Sequence, residues 1–241
     1  MDRSFPLARY LRGVTDRPSS RIAVLSFLPF AVIAIVHVAS KLPELAVIDS
    51  ATKPLLMPML ALPIIVIGRR GRILPLVLLL AGVLFSWIGD VTIGDLPVGL
   101  GFFLLAHVAY LAMMFVAYRH RLSWWALAYP AWWVALLVLL APYLGGMLIP
   151  LAVYGLALGG MAAVATRGSV VLALGGASFV ASDSLLAGRL FVPGLLEGPL
   201  SDAVIMALYL LAQALLVAAS LRHEARRGTR SGLRHLEAET V

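Results

Sequence analysis

Two aspartates, Asp90 in SWIGDVTIG and Asp183 in SFVASDSLLAG, stand at the ends of long apolar stretches of the chain. His107, in FLLAHVAYLAMM, is set in a third such stretch. Carboxyl and imidazole groups kept in apolar surroundings give, take and hold protons. They do so as general acids and bases or as members of a proton relay. Uncharged or singly charged companions recur near them: Lys53, Ser86, Tyr110, Ser182, Ser184, Tyr209 and Gln213, with His37, Asp49, Tyr154 and Ser178 further off.

The elements that carry these groups are long and greasy. Of 241 residues, 61% are hydrophobic and 13% charged, against about half and about a quarter in an ordinary soluble domain. Mean hydropathy is +0.97. Runs of about 18 or more apolar residues are membrane-spanning helices, so the fold class is all-α, an integral membrane helical bundle. Eight transmembrane helices are expected, over residues 21–40, 53–68, 73–90, 97–118, 123–141, 147–166, 169–187 and 201–221, punctuated by Pro, Gly and charged residues. The first run lacks a following cleavage site, so it is a retained helix and not a signal peptide. Absence of cysteine excludes disulfides, thiol catalysis and thiolate metal sites.

The net charge of +7 is not a nucleic-acid footprint, because the basic residues follow the membrane topology. With the N-terminus cytoplasmic, every one of the 19 Lys and Arg residues except Lys41, Lys53 and Arg189 falls on the inner side, as the positive-inside rule asks. Three parts follow: a basic cytoplasmic segment over 1–20, the transmembrane domain over 21–221, and a basic cytoplasmic tail over 222–241, expected to be solvated and partly disordered. The tails anchor to anionic headgroups.

Counting helix rise from each end puts the intramembrane polar groups in the outer half, with the inner half almost purely apolar. Ser86 and Asp90 share a helix face, as do Phe103, His107 and Tyr110, and Asp202, Met206, Tyr209 and Gln213. These stripes imply a polar pocket between helices two, three, four, seven and eight. Plainer roles compete for most of the members. Serines glue helices together, tyrosines pack, His107 could be a satisfied core histidine, Asp95, Asp202 and Glu197 are expected in solvated loops, and Lys41 and Arg189 at the interface. Two carboxylates at one depth have no such inexpensive structural role. The two aspartate segments also echo one another, which suggests a four-plus-four internal repeat.

The ordered set Lys53-Pro54; Ser86, Gly89, Asp90; Gly99, Phe103, His107, Tyr110; Ser182 to Ala187; and Tyr209, Ala212, Gln213 resembles the lysoplasmalogenase family of membrane proteins, also called the YhhN family. Two positions depart from its pattern: Leu210 stands where a second aromatic follows the tyrosine, and Trp87 where a smaller aliphatic residue is commoner. The resemblance implies hydrolysis of the vinyl ether bond of a lysoplasmalogen to a fatty aldehyde and a glycerophospho-ethanolamine or glycerophospho-choline. Protonation of a vinyl ether gives an oxocarbenium ion, as in glycoside hydrolysis, where two carboxyls divide the work. On that reading Asp90 and Asp183 are the acid/base pair, in either order. His107 orients water or a carboxylate, Tyr110, Tyr209 and Gln213 support by hydrogen bonding, Ser182 and Ser184 position Asp183, and Lys53 meets the lipid phosphate. No cofactor is called for. The expected partners are a lysophospholipid and membrane lipid, not nucleic acid, in a bacterial plasma membrane, with the oligomeric state open.

Two rivals stand beside this. A zinc site lacks three histidines within helices and would need His107 with both aspartates, which metal analysis would reveal. A proton-coupled transporter would use the same carboxyls and histidine, but it needs a polar path through the inner half.

Overall fold

In the computed structural model, residues 20–68 and 71–239 are described, with side chains for 21–68 and 71–227. The expected basic segment over 1–20 and the side chains of the far C-terminal tail lie outside them. Among the described residues there is no strand, and the α-helices are α1 (Ser20–Lys41), α2 (Ala46–Gly68), α3 (Ile73–Thr92), α4 (Leu96–Ala117), α5 (Ala128–Leu144), α6 (Leu148–Ala165), α7 (Val170–Phe191) and α8 (Pro199–Glu239). Short 3-10 helices precede α5 and α6.

Among the described residues, seven helical segments are long and apolar enough to cross a membrane. The fifth of these, Trp124–Ala165, is 42 residues long and folds back on itself. Gly145 takes φ +48, a left-handed conformation that side chains resist, and Pro142 has already removed an N–H from the last turn of α5. Beyond the bend, α5 and α6 run antiparallel: Trp133 Nε1 donates to Ala152 O at 3.0 Å. Contacts between other consecutive pairs reverse in the same way, as in Trp87 with Pro54, or Ser182 with Ile205. The connections 41–46, 92–96, 144–148 and 191–199 thus gather at one end. The other end is the arginine-rich one.

Two boundaries differ from expectation. Helix α2 begins at Ala46, not at residue 53, because its polar first turns find partners on α1. Lys41 Nζ lies 2.5 Å from Asp49 Oδ1, and His37 Nδ1 lies 2.8 Å from Thr52 Oγ1. Helix α8 continues through Glu239 instead of ending near 221. Hydropathy falls after Leu221, but the sequence there holds Ala, Leu, Glu and Arg with no Pro, all compatible with helix.

The surface between the two ends is the reverse of a soluble protein's. Val24, Ile35 and Leu139 are about two-thirds or more exposed, which suits a lipid solvent that demands only apolar contact. Small residues let helices approach inside: a Cβ on Gly82 would stand 2.2 Å from the Tyr110 ring, and one on Gly89 would stand 2.8 Å from Phe103. These glycines bring α3 against α4.

The arginine-rich end of the bundle carries a polar cluster of its own. At the arginine-rich end Glu224, 4% exposed, accepts from Arg72 Nη2 at 2.7 Å and from Arg72 Nε at 3.2 Å. Beside it the His223 and Tyr118 rings pack at 4.2 Å. Glu224 lay beyond the apolar run and so looked like a tail residue. Between this end and the aspartates an apolar layer remains, built on Leu79, Met113, Leu172 and Leu216, each at most 1% exposed.

Candidate active site

Asp90, in the last turn of α3, accepts a hydrogen bond from Tyr209 Oη of α8 at 2.7 Å. One turn earlier, Ser86 accepts from Gln213 Nε2 at 2.9 Å, and Gln213 Oε1 accepts from Tyr110 Oη of α4 at 2.6 Å. Ser86, Tyr110 and Gln213 are fully buried. This network ties α3, α4 and α8 together and uses up the polar ends of its members, as a buried network must. Phe103, seated against Gly89, meets the Tyr209 ring edge-on at 6.0 Å. The glycine, phenylalanine, aspartate and tyrosine of the sequence motifs are therefore one packing unit.

Asp183 sits on α7, half-buried, where Tyr154 Oη of α6 donates to its Oδ2. The pocket thus includes α6, a helix absent from the sequence-derived set. A run of rings joined edge to face separates the two carboxyls. Tyr154 meets His107 at 5.2 Å, His107 meets Phe179 at 4.6 Å, and Phe179 meets Tyr209 at 5.5 Å. The carboxyls stay within electrostatic range but each takes its own tyrosine, from helices that are not equivalent in a four-plus-four arrangement.

His107 is fully buried. Its Nδ1 lies 2.7 Å from Phe103 O, the carbonyl one turn earlier on α4. A carbonyl only accepts, so Nδ1 carries the hydrogen and Nε2 presents a lone pair. That nitrogen has no partner among the described residues. A buried acceptor left open marks a place for a donor such as water.

The hydroxyls of Ser182 and Ser184 make their hydrogen bonds away from Asp183. Ser182 Oγ donates to Ile205 O of α8 at 2.9 Å. Ser184 Oγ donates to Val180 O at 2.6 Å and accepts from Trp132 Nε1 of α5 at 2.9 Å. Neighbours on a helix point about 100° apart, so these serines fix α7 against α8 and α5, not the carboxyl.

Lys53 is half-buried near the start of α2, within electrostatic range of Asp90. Beside it, Trp87 Nε1 donates to Pro54 O at 2.8 Å. That carbonyl would ordinarily receive the N–H of residue 58, which is proline and has none. The large aromatic at 87 therefore repairs a break in α2. At this end Arg189 pairs with Asp202 at 2.8 Å and donates to Leu196 O, which closes the α7–α8 connection; Asp202, expected in a loop, lies in the first turn of α8.

Two apolar grooves meet at Asp183, and Leu151, Tyr154, Asp183 and Ala187 line both. One, of about 370 Å³, lies among α5, α6 and α7, walled by Trp132, Trp133 and Leu136. The other, of about 410 Å³, lies among α4, α6 and α7 and reaches the helix ends at Leu96, Met147 and Phe191. Asp90 lines neither. Among the described residues no three His, Asp or Glu side chains are placed to share a metal ion.

Trp132 was missed in the sequence, and Tyr154 stood there only among the more distant companions. Each lies in a helix without an ionisable group, which offered no signal beyond an isolated ring with a polar edge. No curated protein and no solved structure matches the chain. The YhhN family model matches residues 48–220, a stretch that contains both aspartates, both tyrosines that hold them, His107 and Lys53, and on this evidence the chain belongs to the YhhN family.

Proposed function

We propose that this protein is a lysoplasmalogenase-like hydrolase, and that Asp183 is the acid that meets the substrate. The observation that carries the reading is the placement of one carboxyl, Asp183 with Tyr154, at the junction of two apolar grooves. In surroundings poor in water a carboxyl prefers its neutral, proton-donating form. The carboxyl proton of Asp183 passes to the β-carbon of the vinyl ether, whose π electrons form the new C–H bond. The α-carbon becomes part of an oxocarbenium ion, and water adds there. The proton that water loses returns to the Asp183 carboxylate, and the hemiacetal collapses to a fatty aldehyde and a free glycerol hydroxyl. His107 Nε2 holds the attacking water, and Tyr154 fixes the carboxyl in one orientation. Asp90, walled off behind Tyr209 and the rings, is a positioning and charge-balancing residue. Lys53 is the cation for the lipid phosphate.

The same reading takes the doubled fifth segment as two crossings, for eight in all, with both termini on the arginine-rich, cytoplasmic side of a bacterial plasma membrane. Family membership is consistent with this activity, and the apolar layer below the site favours a one-sided pocket over a through path.

The test is aldehyde release from lysoplasmenyl-ethanolamine by protein purified in detergent, beside Asp183→Asn. Expected is release by the wild type and a loss of about 10²-fold or more in the variant, with an unchanged elution profile. Full activity in folded Asp183→Asn would sink the assignment. No release from stable wild-type protein would move the same groups to proton-coupled transport, measured as flux in liposomes.

A further inference from the structure

The groove among α5, α6 and α7 is concave, ends on the reacting carboxyl, and offers almost nothing polar. Besides the indoles, its only polar side chains are Asp183 and Tyr154. Both indole N–H groups are turned away from it, Trp132 to Ser184 Oγ at 2.9 Å and Trp133 to Ala152 O at 3.0 Å, so the rings present apolar faces. Gly155 keeps the groove open: a Cβ there would stand 3.0 Å from the Trp133 ring. On its outer flank Leu140, Leu144 and Ala187 form a small apolar cluster of their own, separate from the main core. The groove is the seam between the two clusters.

The second groove differs in where it leads. It descends between α4 and α7 from the helix ends at Leu96, Met147 and Phe191. Asp183 lies eight residues before the end of α7, about 12 Å below it at helical rise. A lipid whose headgroup stays at that surface would bring the bond just below its glycerol to about this depth. Its tail must then continue past the carboxyl.

We propose that the α5–α6–α7 groove is the binding site for the single hydrocarbon chain of the substrate, with Trp132, Trp133 and Leu136 as the residues that set which chain lengths are turned over. This rests on the hydrolase reading for the identity of the chain, but not for its presence. The surrounding solvent is itself hydrocarbon, so a groove of this lining in a membrane is filled by a lipid tail.

Two measurements test it. First, a non-hydrolysable alkyl-ether glycerophospho-ethanolamine brominated along its chain is titrated into detergent-solubilised protein while tryptophan fluorescence is followed. Expected is a saturable quenching component that disappears in the Trp132→Phe/Trp133→Phe variant. Trp124 and Trp125, stacked and exposed at the arginine-rich end, and Trp87 on α3 give only the unsaturable background. Second, aldehyde release is profiled over chain length. Leu136→Trp should lower turnover of sixteen- and eighteen-carbon chains by about tenfold while sparing eight-carbon chains, the scale on which an apolar pocket discriminates. Leu100→Trp, in the other groove, should lower all lengths alike. Quenching that never saturates, or that persists unchanged in the double variant, overturns the proposal, as does a Leu136→Trp profile parallel to the wild type. Saturable quenching without aldehyde release from the wild type sustains the chain site and removes the hydrolase reading instead.

Discussion

Asp90 and Asp183 stand in one bundle, and each accepts a hydrogen bond from a tyrosine hydroxyl, yet Asp183 lines both grooves described above and Asp90 lines neither. Around Asp90 the neighbours are spent on one another: Tyr110, Gln213 and Ser86 close a buried chain of hydrogen bonds. Around Asp183 the neighbours are apolar and leave two grooves, and the one polar atom nearby with nothing to bind is His107 Nε2, two ring contacts from Tyr209. The same side chain, held by the same kind of partner, thus has two different surroundings: Asp90 is buried and Asp183 half-buried. A closed network holds helices in register, whereas an unfilled one is free to meet a ligand.

Sharpest among the ways to break this comparison is exchange of the two carboxyls for amides in parallel. Asp183→Asn should cost about 10²-fold or more in rate with little change in stability. Asp90→Asn, whose amide oxygen still accepts from Tyr209, should retain the larger share of activity, and equal losses in aldehyde release would erase the distinction drawn here. Next in size is Gln213→Leu, which strands two buried hydroxyls, Tyr110 and Ser86. At about 1–3 kcal/mol for each unpaired group, it should lower the detergent melting temperature markedly while protein that remains folded keeps its rate. Tyr154→Phe should cost about tenfold in rate, about 1.4 kcal/mol, because Asp183 loses the hydroxyl that fixes its orientation. The smallest effect belongs to Ser182→Ala. It removes one α7–α8 hydrogen bond to Ile205, worth about 1 kcal/mol, and should leave the chain-length profile as it was.

Much of the candidate site was visible in the residues, because each helix face repeats every three or four positions. Ser86 with Asp90, and Tyr209 with Gln213, were aligned by spacing alone and do act together across α3 and α8. Tyr154 was not, since an uncharged ring in an apolar helix has the same hydropathy signature whether it faces lipid or a carboxylate. Glu224 was masked by the opposite effect: it stands past the end of the apolar run, where a buried ion pair with Arg72, 152 positions away in sequence, leaves no local trace. The helix ends slipped for a related reason. Hydropathy reports where a chain prefers lipid, while α2 and α8 continue into polar sequence because their backbone hydrogen bonds do not stop there.

By itself the sequence determined the solvent, the class and the inventory. Long apolar runs demand helices whose backbone groups are satisfied internally, and few ionisable residues survive within such runs unless something uses them. Tertiary structure decided which partner each of those residues has and which of the two aspartates lines the two grooves. That depends on the rotation of each helix about its own axis and on which helices become neighbours. Both are set by close packing at places such as Gly82 against Tyr110 and Gly89 against Phe103, contacts between residues far apart in the chain that no periodicity along a single helix contains.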